Sequence, residues 1–316
     1  MRLVRWPGGV PPPCGRSVVT LGVFDGVHRG HAEVIRQVVA AARERSCRAA
    51  IVTFDRHPAA VLSGPPYGRL PAITSLEHRI RLFAGLGADL CVVVRFCEEV
   101  ARIEAEEFAR GVFRDLLSAE LVILGYDCRF GRDGKGDVAL CAKLGLELGF
   151  EVRVVPAVKV DGRPVSSTAI RKAILEGELQ EAERLLGRPF SLYGTVVPGD
   201  GRGRALGYPT ANLDLHNETT PPDGVYACWV FTDGEPVPGV VSIGTRATFH
   251  REAGSMRVVE VHLIGRSEDL YGRDVEVQFV RCLRGQEAFE SAEGLRVQIG
   301  RDVETALELL RGPPAR

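Results

Sequence analysis

A change of rhythm near Leu186 constrains the fold more than any other feature of the chain. Before it, short apolar runs alternate with stretches of helical periodicity: SVVTLG (17–22), RAAIVTF (48–54), DLCVVV (89–94), ELVILG (120–125) and EVRVVP (151–156). Ile35, Val38, Val39 and Ala42 form one such stripe, the pattern of a helix with one buried face. Strands of Val, Ile and Leu joined by helices predict an α/β fold with a mostly parallel sheet, its ligand lying beyond the carboxyl ends of the strands. After LLGRPF the helices drop out. LYGTVV (192–197), GVYACWVF (224–231), VPGVVSIG (237–244), RVVEVHLIG (257–265) and VEVQFV (275–280) are separated by Gly/Pro-rich or polar turns, which predicts an antiparallel sheet or small β-barrel. A last helical stretch, about Glu287 to Leu310, carries Phe289, Leu295, Val297, Ile299, Val303, Ala306, Leu307 and Leu310 and is expected to pack on that barrel. With 316 residues the chain is long enough for two cores. The expected domains are 1–186 and 187–316.

Composition narrows the ligand. The net charge is -1 and the 40 basic residues are scattered among 41 acidic ones, leaving no basic stripe for nucleic acid or a membrane surface. A small charged substrate fits better. The N-terminus MRLVRWPGGVPPPCG has no continuous apolar segment, and nowhere do eighteen apolar residues run together, so the expected location is the cytoplasm. Eight cysteines, none in a CxxC pair, read as small core residues and indicate neither a disulfide framework nor zinc.

In GVFDGVHRGH (22–31) the strand stops at Gly22 and a helix starts near Gly30, which puts His28 and His31 at a helix N-terminus. Free N–H groups and the helix dipole attract anions there, and Gly22, Gly26 and Gly30 let backbone approach a phosphate. A loop histidine followed by a first-turn histidine is the plain alternative. No GxxxxGK[ST] occurs, so a nucleotide would not be held by a Walker-type loop. Two imidazoles can instead donate hydrogen bonds to charge building on an α-phosphate as pyrophosphate leaves. SSTAIR (166–171) opens a helix whose apolar face is Ile170, Ala173 and Ile174; its hydroxyls cap that helix and, with Arg171, also make an anion site. His78 reads as an exposed helix residue.

In GDGRGRALGYPTANL (199–213) the glycine spacing departs from GxGxxG, and a short strand follows instead of a helix, so a Rossmann-type dinucleotide site is excluded. A phosphate-covering loop and a glycine-rich hairpin turn both remain. Thr210 and Asn212 are two apart, and on extended backbone they point the same way. Their neutral oxygens suit Mg2+ already held mainly by nucleotide phosphates and water. In RVVEVHLIG, Val259, Val261 and Leu263 share one strand face, leaving Val258, Glu260 and His262 on the other. Glu260 there either faces solvent or serves the site.

Taken in order, GVFDGVHRGH, TFDRHP (53–58), GYDCRFG (125–131), SSTAIRKAI (166–174), GRALGYPTANL (203–213), EVH (260–262) and DLYG (269–272) resemble the bacterial bifunctional riboflavin kinase/FAD synthetase family almost end to end. The resemblance implies a Rossmann-like HxGH nucleotidyltransferase domain with a parallel sheet, then an antiparallel β-barrel kinase domain with a terminal helix. It implies phosphorylation of riboflavin to FMN and adenylyl transfer from ATP to FMN, with Mg2+ in both. By the same resemblance His28, His31 and Glu260 are catalytic, Glu260 as general base. Gly22, Phe24, Asp25, Gly26, Ser167, Thr168, Arg171, Gly201, Gly203 and Gly207 contact ATP or its phosphates. Phe54, His57, Pro58 and Asp127 line the flavin or adenylyl pocket, and Thr210 and Asn212 bind the metal. His262, beside Glu260 on its strand, itself reads as a structural residue. Arg56, Cys128, Ser242, Ala247 and Gly265 depart from the family pattern. Two rival readings keep part of this: a nucleotidyltransferase for another phosphorylated acceptor, and a flavin-binding protein with one activity lost.

Overall fold

The computed structural model describes residues 1–8, 15–58, 71–199, 202–216, 218–245, 257–266 and 268–314. Gly201 and Ala247 lie outside them. The chain divides into two compact units, Met1–Ser167 and Thr168–Arg316. That division lies upstream of the rhythm change at Leu186. The two helices between share the periodicity of the preceding half, but they pack with the second unit.

The first unit is built on six parallel strands, β1 (Arg2–Trp6), β2 (Ser17–Leu21), β3 (Arg48–Phe54), β4 (Leu90–Val94), β5 (Ala119–Gly125) and β6 (Glu151–Val155), in the order β1-β4-β3-β2-β5-β6. Alternate residues of each strand feed opposite layers. Val18, Ile51 and Ile123 meet α1 (Arg29–Glu44) and α2 (Leu76–Gly85), with Ile35, Val38, Val39, Ala42 and Phe83 buried among them. Val19, Val52 and Val122 meet the other layer. It comprises α3 (Glu98–Ala101), α4 (Ala105–Phe108) with its π-helical continuation to Leu116, and α5 (Val138–Leu148). A short hairpin, β7 (Lys159–Val160) with β8 (Arg163–Pro164), follows the sheet. Strand β1 was not expected, because only Val4 of its five residues is buried and two of the others are arginines. The sheet runs outward from β2 in both directions, to β3 on one side and β5 on the other. The loop after β2 therefore sits at the switch point where open α/β sheets bind ligands.

The second unit begins with α6 (Ser167–Leu175), whose first residue belongs to unit one, and α7 (Leu179–Leu186). Ile170, Ala173 and Ile174 are the buried residues of α6, as its periodicity predicts. Then β9 (Ser191–Val197), β10 (Ala211–Asp214), β11 (Gly224–Phe231), β12 (Val237–Thr245), β13 (Arg257–Leu263) and β14 (Asp274–Arg284) close an antiparallel barrel in the order β10-β13-β12-β11-β14-β9. One helical turn, α8 (Arg202–Ala205), lies in the glycine-rich segment. The terminal helix α9 spans Ala292–Leu309, shorter at its start than expected, because Ser291 caps it through its side chain. Phe289 precedes it and lies under the Arg284 guanidinium at 5.6 Å. Ala306 and Leu310 pack on Val225, Ala227 and Val240, while Val297 and Leu307, expected in that stripe, are exposed. The buried Asp302 carboxylate accepts from Arg284 and Gln298, fastening α9 to the end of β14.

Among the described residues no helix is long and apolar enough to cross a membrane. The described cysteines are all free; Cys91, Cys141 and Cys228 are buried, but Cys282 is exposed and departs from the expected core role.

Candidate active sites

In the first unit the backbone turns sharply after β2. Phe24 and Val27 take φ of 55° and 41°, left-handed conformations costly for non-glycine residues, and Gly26 takes 82°. Buried contacts hold that shape. The Asp25 carboxylate accepts from the backbone N–H groups of Ile73 and Thr74, and Gly26 N–H donates to Thr74 Oγ1 at 2.8 Å. A Cβ at Gly22 would lie 3.0 Å from the Phe24 ring, so glycine is needed for the close packing. Ser167 Oγ donates to the Asp25 carbonyl at 2.9 Å, bringing the first residue of the SSTAIR helix to this loop.

His28 is the N-cap of α1, its Nδ1 accepting from His31 N–H at 3.3 Å. That acceptor role places the His28 proton on Nε2, which makes Nε2 the ring's donor. The two imidazoles stack with centroids 3.5 Å apart, and Phe24 packs edge-on against His31. His31 Nδ1 is buried without a hydrogen-bond partner. Burial, the adjoining His28 and the Arg79 guanidinium hold the His31 imidazole well below the usual histidine range. Rings this close cannot both carry charge, and burial keeps the His31 ring as the neutral one of the pair, beside a helix N-terminus.

Arg79 is the residue that the sequence reading missed. It is 4% exposed and donates to the carbonyls of Val23, Phe54 and Ser75 and to Thr53 Oγ1. His78, expected to be exposed, is fully buried. Helix α2 turns its polar first turn inward, where Ser75 caps the His78 N–H and the strand-end carbonyls need donors. Phe54 is buried against Phe96, whereas His57 and Asp127 are exposed and Pro58 is half-buried. Thr168 is exposed and Arg171 half-buried on α6. Cys128 Sγ contacts the Leu21 carbonyl at 3.5 Å, linking the loop after β5 to the end of β2, and burial pushes its thiol up to about 12.

In the second unit the barrel ladder decides the geometry. Asn212 of β10 pairs directly with Glu260 of β13, and Glu260 pairs on its other side with Ser242 of β12. Residues so paired have neighbouring side chains. Val259, Val261 and Leu263 are buried while Val258, Glu260 and His262 are half-buried, the alternation expected of this strand. A Cβ at Gly199 would overlap the Asn212 amide, and one at Gly203 would lie 3.0 Å from Thr210 Oγ1. Glycine at both positions gives these oxygens and nitrogens their space. Gly207 is exposed with φ 85°, a turn that glycine suits. Thr210 lines a cleft of about 490 Å³ with Arg204, Pro209, Arg266, Asp269 and Tyr271. Ser242 Oγ accepts from Gln286, and Gly265 takes φ 74°. Among the described residues no group of three or more His, Cys, Asp or Glu side chains is arranged to hold a metal ion.

Residues 12–169 match the FAD synthetase family and residues 186–310 the riboflavin kinase family. The bifunctional riboflavin kinase/FMN adenylyltransferase of Escherichia coli K12 is 38% identical over 293 residues, 92% of each chain. The chain belongs to the bifunctional riboflavin kinase/FMN adenylyltransferase family. Another member, from Haemophilus influenzae, is 36% identical over 97% of this chain and 98% of its own. A solved Streptococcus pneumoniae structure described as a macrolide-efflux protein superposes with a TM-score of 0.78 at 32% identity, covering 96% of this chain and 98% of that one. The two family matches follow the order of sheet and barrel, and between them lie most of α6 and all but the end of α7.

Proposed function

We propose that the chain makes FAD from riboflavin in two ATP-dependent steps, one in each half. The observation that carries this reading is that each family match coincides with a constellation suited to its own chemistry. The paired imidazoles lie in the FAD synthetase match, and the Asn212–Glu260 ladder pair lies in the riboflavin kinase match.

In the barrel, Glu260 takes the proton of the riboflavin ribityl 5'-hydroxyl while that oxygen attacks the γ-phosphorus of ATP, giving FMN and ADP. Thr210 and Asn212 are neutral oxygen donors, and the space at Gly199 and Gly203 fits them to Mg2+ held chiefly by phosphates. Such an ion neutralises phosphate charge. The Gly203–Gly207 turn covers the phosphates, and Gly201 joins it on the family resemblance alone.

In the sheet unit a phosphate oxygen of FMN attacks the α-phosphorus of a second ATP, and pyrophosphate leaves as FAD forms. His28 and His31 donate to the charge that builds there, an electrostatic role without a covalent intermediate. Gly22, Phe24, Asp25 and Gly26 shape the loop that brings backbone to the phosphates, with Ser167 tied to it. Thr168 and Arg171 join this site on the family resemblance, as do His57, Pro58, Asp127 and Phe54 in the flavin or adenylyl pocket. Residues 1–186 carry the adenylyl transfer and 187–316 the phosphorylation, both in the cytoplasm where ATP and riboflavin meet.

Chromatography of a riboflavin, ATP and Mg2+ time course tests the whole scheme. FMN is expected first, then FAD with one pyrophosphate per FAD. Absence of FMN removes the kinase half, and FMN that never becomes FAD removes the other.

A further inference from the structure

Pro209 interrupts the barrel ladder at the point where the kinase reading most needs a fixed backbone. The β10–β13 pairing starts at Ala211 opposite Val261, so Tyr208, Pro209 and Thr210 lie beyond its end. Proline has no N–H to offer a ladder, and its carbonyl still requires a donor or water. His262 supplies one. Its Nδ1 lies 2.8 Å from the Pro209 oxygen, and because a carbonyl only accepts, the imidazole carries its proton on Nδ1. The same ring takes the edge of Tyr208 at 5.5 Å and 85°.

Two other elements converge on this tripeptide. Tyr208 N–H donates to the Gly203 carbonyl at 2.9 Å. Gly300 of α9 makes room for the Tyr208 hydroxyl, since a Cβ there would lie 3.1 Å from it. The peptide so held forms the cleft wall, where Pro209, Thr210 and Ala211 are neighbours. His262 also stands two residues from Glu260 on the same face of β13.

We infer that His262 is a positioning residue of the kinase site, its imidazole N–H holding the Pro209 carbonyl so that Thr210 keeps a fixed distance from Glu260. The inference rests on the kinase reading of Thr210, Asn212 and Glu260. One strand then sets both the proton acceptor and the segment that meets the phosphates. A structural filler would be replaceable by any side chain of similar bulk, whereas this role demands a donor at one place. Asparagine offers its amide N–H close to where Nδ1 stands.

The test compares the full-length wild type, His262→Ala, His262→Asn and His262→Leu in FMN formation, with FAD formation from added FMN measured on each. Alanine and leucine are expected to lower kcat/KM for ATP by about tenfold to a hundredfold, the scale of small misplacements in a reacting site. The KM for riboflavin and the FAD rate should stay as in the wild type, and asparagine should recover most of the loss. Wild-type kinetics in His262→Ala, or a folded His262→Asn as impaired as His262→Leu, overturns the inference. If the alanine variant does not fold, the asparagine and leucine pair decides in the same way. A wild type that forms no FMN overturns the kinase reading itself, a result distinguishable from either of these.

Discussion

At the scale of single residues, the proposed adenylyl transfer rests on the stacked pair His28 and His31. His28→Ala or His31→Ala should lower FAD formation from FMN by about a hundredfold to a thousandfold, the worth of one donor aimed at developing charge. FMN formation should persist, and a chromatographic assay of both products on each variant checks it. The depressed His31 imidazole also sets a pH dependence. Below the ordinary histidine pKa of about 6.5 the unfolded chain takes up a proton that the buried ring refuses. Stability is therefore complete above about pH 6.5 and falls as pH drops toward the folded value. Melting temperatures from pH 8 to pH 5, in buffers of constant ionic strength, should decline less steeply in His31→Asn than in the wild type.

At the scale of elements, Arg79 shows how helix α2 secures the loop after β2. Its guanidinium joins the carbonyls at the ends of β2 and β3 to the start of its own helix. Burial lowers its pKa, with the Asp25 carboxylate the strongest opposing charge. Arg79→Met would strand those acceptors and should cost about 3 kcal/mol, the range for charged donors removed from buried partners. A shifted urea midpoint with an unchanged m-value is the expected reading. The contrast with His28 and His31 shows what the amino-acid order makes legible. HxGH and PTAN are local, their members within three residues, so a strand or helix of known period fixes their relation. The stripe Ile35, Val38, Val39 and Ala42 and the alternation around Glu260 were readable for the same reason. Arg79 and the burial of His78 beside it were not, because the carbonyls of Val23 and Phe54 that Arg79 meets lie more than twenty residues away in the chain. Nor was the pairing of Asn212 with Glu260, which needs the barrel's register, or β1, whose arginines hide a strand held by one edge partner.

At the scale of the whole molecule, the imidazole pair and the Asn212–Glu260 pair belong to different compact units with separate hydrophobic cores. FMN made by one molecule can then be used by another. Glu260→Ala or His31→Ala alone should convert riboflavin to FAD only at a small residual rate, but an equimolar mixture should do so much faster, at a rate that rises with total protein; a mixture as slow as its parts would refute the exchange. The barrel's closure bears on the departures at Ser242 and Gly265. In an open sheet a changed side chain or turn can be absorbed by sliding one strand past the next. A hoop of six strands has no free seam: sliding β13 against β10 means sliding it against β12 as well, and so on around the ring. Altered residues at Ser242 and Gly265 can thus change the local lining, while the spacing between the Glu260 carboxylate and the Asn212 amide stays locked by the circumference.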